Sequence, residues 1–83
     1  MKSVDRELRI RHLTVDEALF RLDQYLNEAF MARLPYVRIV HGTGTLRRAV
    51  HEVLAKHPLV KSYRFGDYGE GDYGVTIVEM ARR

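Results

Sequence analysis

Residues 37–48, Val-Arg-Ile-Val-His-Gly-Thr-Gly-Thr-Leu-Arg-Arg, constrain the fold more than any other stretch. Val37, Ile39 and Val40 form a β-branched run that favours a strand. The run ends at His41. Gly42 and Gly44 then interrupt any periodicity, and Leu46, Ala49, Val50, Val53 and Leu54 recur at helical spacing. The segment reads as strand, tight turn and helix start. Free backbone N–H groups and the helix dipole attract anions at such a place. Gly42 and Gly44 carry no Cβ, so a phosphate can approach the backbone closely. Thr45 is read as the helix N-cap. Arg47 and Arg48 fall in the first turn, where the dipole disfavours positive charge and a bound polyanion offsets that cost. The alternative is a plain strand–helix connection, with the glycines serving geometry alone.

The flanking segments fit an α/β layout. Residues 1–7 are polar and are expected to fray. Leu8-Arg9-Ile10-Arg11 alternates with period two, which puts Leu8 and Ile10 toward a core and Arg9 and Arg11 side by side on the opposite face. Thr14 and Glu17 form a capping box. Behind it Val15, Ala18, Leu19, Leu22, Leu26, Ala29 and Phe30 make an apolar stripe flanked by Tyr25, and the helix should stop near Arg33, before Pro35. Residues 36–41 are apolar on both faces, as a central strand is. The second helix should end before Pro58, with Arg47, Arg48, His51, Glu52 and Lys56 on its outer face. Residues 60–65 form a third strand with Tyr63 and Phe65 on one face. Residues 66–74 are a glycine-rich loop, and residues 75–80 form the last strand.

The order β-α-β-α-β-β predicts a two-layer α/β sandwich: a four-stranded mixed sheet with two helices on one face. Right-handed crossovers make the first three strands parallel, and the last strand returns antiparallel. The carboxyl ends of the first three strands then share one rim, where open α/β sheets bind ligands. Arg11, His12, residues 41–44 and the 66–74 loop should converge there.

Composition removes several functional classes. Eighty-three residues make one domain, and there is no cysteine to form a disulfide or a thiolate metal site. No apolar run is long enough to span a bilayer and residues 1–3 begin no signal peptide, so a cytoplasmic protein without membrane contact is expected. Residues 45–65 hold five basic residues against one acidic, within a total net charge of +3. That local excess suits a phosphate-binding patch next to the turn. Neither Gly-x-Ser-x-Gly nor Gly-x-x-x-x-Gly-Lys occurs. His51 and His57 lie six apart and do not share a helix face, and no metal ligand set is assigned. Asp67, Glu70 and Asp72 are carboxylates confined to the 66–74 loop. Histidine moves protons near neutral pH and arginine grips phosphate bidentately, so one of each beside a helix start can support phosphodiester cleavage. Tyr68 and Tyr73 are read as loop-packing residues, with stacking on unpaired bases as the alternative.

Together these pieces resemble an Smr (small MutS-related) domain, a family found alone or at the C-terminus of a bacterial MutS paralogue. The resemblance covers about residues 8–80. His41-Gly42-Thr43-Gly44 matches the family's His-Gly-x-Gly, and Leu46-Arg47-Arg48-Ala49-Val50 resembles the helix after it. Glu70-Gly71 and Gly74-Val75-Thr76-Ile77-Val78-Glu79 resemble the closing pattern, and Glu17-Ala18 resembles the first-helix signature. The family's first motif, Leu-Asp-Leu-Arg-Gly, stands here as Leu8-Arg9-Ile10-Arg11-His12. Arg9 thus replaces an Asp associated with cleavage, and His12 replaces a Gly. The turn after His41 is two residues shorter than usual, and Asp72 replaces the second Gly of Glu-Gly-Gly.

The resemblance implies an Smr domain over residues 8–83 that binds DNA or RNA and nicks DNA as an endonuclease. No cofactor is expected, a divalent-metal requirement is left open, and the resemblance allows a place in a larger ATPase chain. It also implies recombination suppression or ribosome quality control, with the ribosome as a partner. The candidate catalytic set is Arg11 and His41, which match the family's positions, with His12, a departure from it, as a second acid–base group. Gly42, Thr43, Gly44, Thr45, Arg47 and Arg48 are the candidate nucleic-acid contacts, with Arg9, also a departure, as a further phosphate contact. A non-catalytic adaptor that binds DNA, RNA or ribosomes is the rival reading, favoured by Arg9.

Overall fold

The structure, a computed structural model, describes residues 3–66 and 72–82. The carboxylates Asp67 and Glu70, Tyr68 and Gly71 lie outside the described residues, as does the side chain of Asp72. Thr14 starts α1 (Val15–Met31) by using its hydroxyl twice. The hydroxyl accepts the Glu17 N–H at 3.2 Å and donates to the Glu17 carboxylate at 2.7 Å. The inward face of α1 is Ala18, Leu22, Tyr25, Leu26 and Ala29. Val15, read as part of that stripe, lies in the first turn and is 37 % exposed. Tyr25 is buried instead of flanking the core, because its hydroxyl has a partner: it donates to the Asp5 carbonyl at 2.6 Å.

The helix stops through backbone geometry. Arg33 adopts φ 61°, the Arg33 N–H donates to Phe30, and the Leu34 N–H reaches back to Ala29. These two bonds satisfy carbonyls that the helix end would otherwise leave bare, in a Schellman motif. The residue at its left-handed position is Arg rather than Gly, so the sequence carried no glycine signal for the stop.

The strands are β1 (Glu7–Arg9), β2 (Tyr36–Val40), β3 (Val60–Phe65) and β4 (Val75–Met80), in the sheet order β1-β2-β4-β3. β1 begins one residue before the strand read from the sequence and ends two residues sooner. β1 runs parallel to β2, while β4 runs antiparallel to both β2 and β3. The first three strands therefore point the same way, and β4 inserts between the second and the third. The register pairs Val37 with Val78 and Ile39 with Thr76, so these side chains share the face that α1 and α2 (Thr45–Lys56) cover. Leu8, Ile10, Leu22, Leu26, Ile39, Val50, Leu54 and Val78 meet there as one core. The other sheet face carries Glu7, Arg9, Arg38, Ile77 and Glu79. At the far end of the helices, the His57 imidazole donates from Nε2 to Asp23 at 2.9 Å and joins α2 to α1.

α2 begins differently from the sequence reading. Gly44, not Thr45, is the N-cap, and the cap makes no side-chain hydrogen bond. The short turn already places Thr45 in helical backbone, from which its hydroxyl does not cap the free N–H groups. The basic surplus of residues 45–65 is also spread rather than gathered at the turn. A 12-residue helix rises roughly 18 Å, which carries Lys56 to the opposite end of the molecule. Lys61 pairs with Glu79 at 3.6 Å, and only Arg47 and Arg48 remain in the first turn.

Candidate nucleic-acid interface

β1 and β2 are parallel neighbours, so their carboxyl ends fall on one rim. There Arg11, His12, His41, Gly42, Thr43, Gly44 and Thr45 line a single cleft, floored by Leu13 and Leu46. Gly42 adopts φ 80°, the left-handed region that glycine enters without penalty. The N–H groups of His41 and Gly42 both donate to the Gly74 carbonyl, at 3.1 and 2.9 Å. A Cβ built on Gly42 would stand 3.5 Å from Arg11 Nε, so the Arg11 side chain lies along this turn. Gly44 is open: a Cβ there would meet nothing within 4 Å. The cleft thus combines a guanidinium, an exposed imidazole, a helix start without a side-chain cap and an unobstructed glycine.

His12 is exposed with φ 71°. Its left-handed backbone explains the glycine that the resemblance expects at this position. The same turn separates Arg9 from Arg11. β1 ends at Arg9, so the period of two no longer relates the two side chains. Arg9 Nε donates to Glu7 at 2.7 Å, and Arg9 lines a different cleft with Arg21 and Glu28. Of the ten candidate site residues, the rim assembles seven; it does not include Arg9, Arg47 or Arg48. Arg47 lies 5.7 Å from the Phe65 ring centroid, and Arg48 lies 3.7 Å from Glu52.

His41 is only 3 % exposed, and both of its ring nitrogens are engaged. Nδ1 lies 2.6 Å from the Gly42 carbonyl, and a carbonyl only accepts, so Nδ1 carries the proton. Nε2 therefore accepts from the Thr76 hydroxyl at 2.7 Å. The His51 imidazole completes the chain, its Nε2–H donating to the same Thr76 oxygen at 2.7 Å. Burial lowers the pKa of His41 against the opposing Gly42 carbonyl bond, and Arg47 lowers it further. Burial and the neighbouring His41 and Arg47 lower that of His51. Both rings are held neutral, in an order that fixes one tautomer each.

Sequence reasoning missed this relay. His51 was assigned to the outer face of the second helix. It is half-buried, stacked on Phe65 with centroids 4.6 Å apart and edge-on to Tyr63 at 5.0 Å. The available signal was Thr76: alternation places its hydroxyl on the inward face with Val78 and Met80, where a buried polar group needs a partner. Among the described residues, no three His, Asp or Glu side chains gather as metal ligands. Among those residues, likewise, no helix is long and apolar enough to cross a membrane.

A two-layer α/β domain with a glycine turn and an arginine at the shared strand rim defines a class, and comparison fixes which. The family model for the Smr domain matches residues 8–81, and the chain belongs to that family. It is similar to the endonuclease MutS2 of Thermomicrobium roseum, 54 % identical over 79 residues, and to that of Caldicellulosiruptor saccharolyticus, 51 % identical over 81. These matches cover 93 % and 95 % of this chain but 10 % of each relative, so the chain spans about a tenth of their length. The crystal structure of the Smr domain of Thermus thermophilus MutS2 superposes with a TM-score of 0.87 at 43 % identity, covering 90 % of this chain and 96 % of that one. YdaL, a stand-alone small MutS-related protein from Escherichia coli, shares the fold with a TM-score of 0.86 at 22 % identity, over 94 % of this chain and 65 % of its own.

Proposed function

We propose that this domain binds nucleic-acid phosphates in the rim cleft and nicks the phosphodiester backbone, as a module of a larger MutS2-like ATPase chain in the cytoplasm. The observation that carries the reading is the convergence of Arg11, His12 and the start of α2, which has no side-chain cap, on one cleft. Arg11 neutralises a phosphate, and the backbone N–H groups at the α2 start, beside the open Gly44, hold its oxygens. His12, exposed beside them, supplies the acid–base group. His41 acts as a positioning residue: its nitrogens are spent on Gly42 and Thr76, and it holds the turn against the rim. The parent chain's suppression of recombination or action on stalled ribosomes would follow from the same phosphate grip.

The second reading, a non-catalytic adaptor for DNA, RNA or ribosomes, is favoured by Arg9, which stands where the resemblance expects a carboxylate. Nicking of supercoiled plasmid by the wild type, Arg11→Ala and His12→Gly separates the two. Cleavage by the wild type that falls roughly a hundredfold or more in each variant supports the nickase. Binding without cleavage leaves the adaptor. Cleavage unaffected by both substitutions rejects the cleft as the site.

A further inference from the structure

An aromatic column runs out from the relay to the surface. His41 and His51 meet edge to face with centroids 5.9 Å apart, His51 stacks on Phe65 at 4.6 Å, and Phe65 meets Tyr73 edge to face at 5.1 Å. Exposure rises along it, from His41 at 3 % to Tyr73 at 62 %. The Arg47 guanidinium lies over Phe65. Tyr73 is an exposed aromatic ring edge-on to Phe65, the ring that Arg47 overlies.

Its place relative to the cleft gives it an occupant. Gly74 accepts the N–H groups of His41 and Gly42, so Tyr73, one residue earlier, stands next to the phosphate-binding turn. A nucleobase has a π-face and Arg47 has charge for the backbone, the two features that single-strand binding sites combine. In intact duplex the bases are stacked on one another and closed to Tyr73. We propose that Tyr73, backed by Phe65 and flanked by Arg47, is a stacking subsite for an unpaired nucleobase adjoining the phosphate bound in the cleft. This rests on the phosphate-binding reading above and deepens it: the preferred substrate carries an unpaired base beside the phosphate that Arg11 holds.

The test uses a duplex with a three-nucleotide gap containing 2-aminopurine, against the same duplex without the gap. Wild-type protein should quench the 2-aminopurine and bind the gapped probe more tightly. Tyr73→Phe should retain both effects. Tyr73→Leu should lose the quench and roughly five- to hundredfold of the gapped-probe affinity, with duplex affinity within about twofold. Tyr36→Leu, which removes an exposed tyrosine from β2 at the opposite end, should change nothing. A wild type that leaves 2-aminopurine unquenched overturns the subsite without recourse to any variant. So does a Tyr73→Leu protein with wild-type melting that binds the gapped probe normally, or loses duplex binding equally. Wild type that binds neither probe at low salt overturns the phosphate-binding reading itself.

Discussion

At the scale of single residues, two backbone and hydrogen-bond demands decide what the rim can do. His12 occupies a left-handed position at φ 71°, which disfavours any residue with a Cβ, though histidine less than most. His12→Gly is therefore expected to stabilise the fold by about 0.5–1 kcal/mol in urea melts, offset in part by the flexibility of glycine in the unfolded chain. The same variant should lower nicking if the imidazole supplies the acid–base group. Opposite signs on stability and activity would mark strain retained for function. A variant that is both less stable and fully active would reverse that assignment. Thr76 is the second demand, since its one hydroxyl serves His41 and His51 together. Thr76→Val keeps the shape and strands one buried imidazole nitrogen, on His41, and one half-buried, on His51, a loss of roughly 1–3 kcal/mol. Thr76→Ser keeps the hydroxyl and should cost only about 1 kcal/mol for the missing methyl. Equal losses would show that the methyl packing, not the relay, matters. The relay also carries a pH signature. Both histidines have folded-state pKa values below the ordinary 6.5, so below pH 6.5 the unfolded chain takes up protons that the native state refuses. Stability is then fully present above that pH and is lost as pH falls toward the depressed native values. Melts that give the same stability at roughly pH 7.5 and 5.5 would show that neither ring is held neutral.

At the scale of elements, what the sequence made legible were the features with a local cause. The capping box at Thr14 and Glu17, the stripe of Leu22 and Leu26 and the β-branched residues of β2 each act within a few positions, and each stands where it was read. The elements whose limits depend on distant partners were harder to place. The α2 N-cap moved from Thr45 to Gly44 because the turn is short and its backbone is tied to the distant Gly74. Arg11 separated from Arg9 because β1 ends early. Tyr25 entered the core because Asp5 offers a carbonyl, and His51 is drawn in to half-burial because Thr76 offers a hydroxyl. The end of α1 shows the same limit. Its Schellman motif places an arginine where glycine is the low-cost choice, φ 61° at Arg33. Arg33→Gly should raise stability by about 0.5–1 kcal/mol, for the same steric reason as at His12. Arg33 lies at the far end from the rim, so nicking and nucleic-acid affinity should not change. A destabilised Arg33→Gly protein would mean that the arginine side chain contributes more than its backbone costs.

At the scale of the whole molecule, the topology decides how much charge the nucleic acid can feel. Three parallel strands bring their carboxyl ends to one rim, and the helix after β2 starts there. The crossover that gathers Arg11, His12 and the glycine turn also sends the rest of α2 and the start of β3 away. Residues 45–65 carry five basic side chains, yet Lys56 lies at the opposite end of α2 and Lys61 pairs with Glu79. Arg64 falls on the sheet face that no helix covers. On the proposed reading the phosphate grip therefore reduces to Arg11 in the cleft, joined by Arg47 and Arg48, which lie outside it on the first turn of α2. Each phosphate neutralised contributes a slope of about −0.9 to log affinity against log salt on duplex DNA, so three predict about −2.7. A patch built from all the basic residues of the segment together with Arg11 would instead exceed about −5. Arg11→Ala should flatten the slope by about one unit on every sequence tested, because a phosphate contact carries no base information. Lys61→Ala, which removes a charge from the same segment but not from the rim, should leave the slope unchanged. A slope near −5 that Lys61→Ala reduces would mean that the nucleic acid tracks along β3 and the open sheet face, and that the cleft holds only part of the contact.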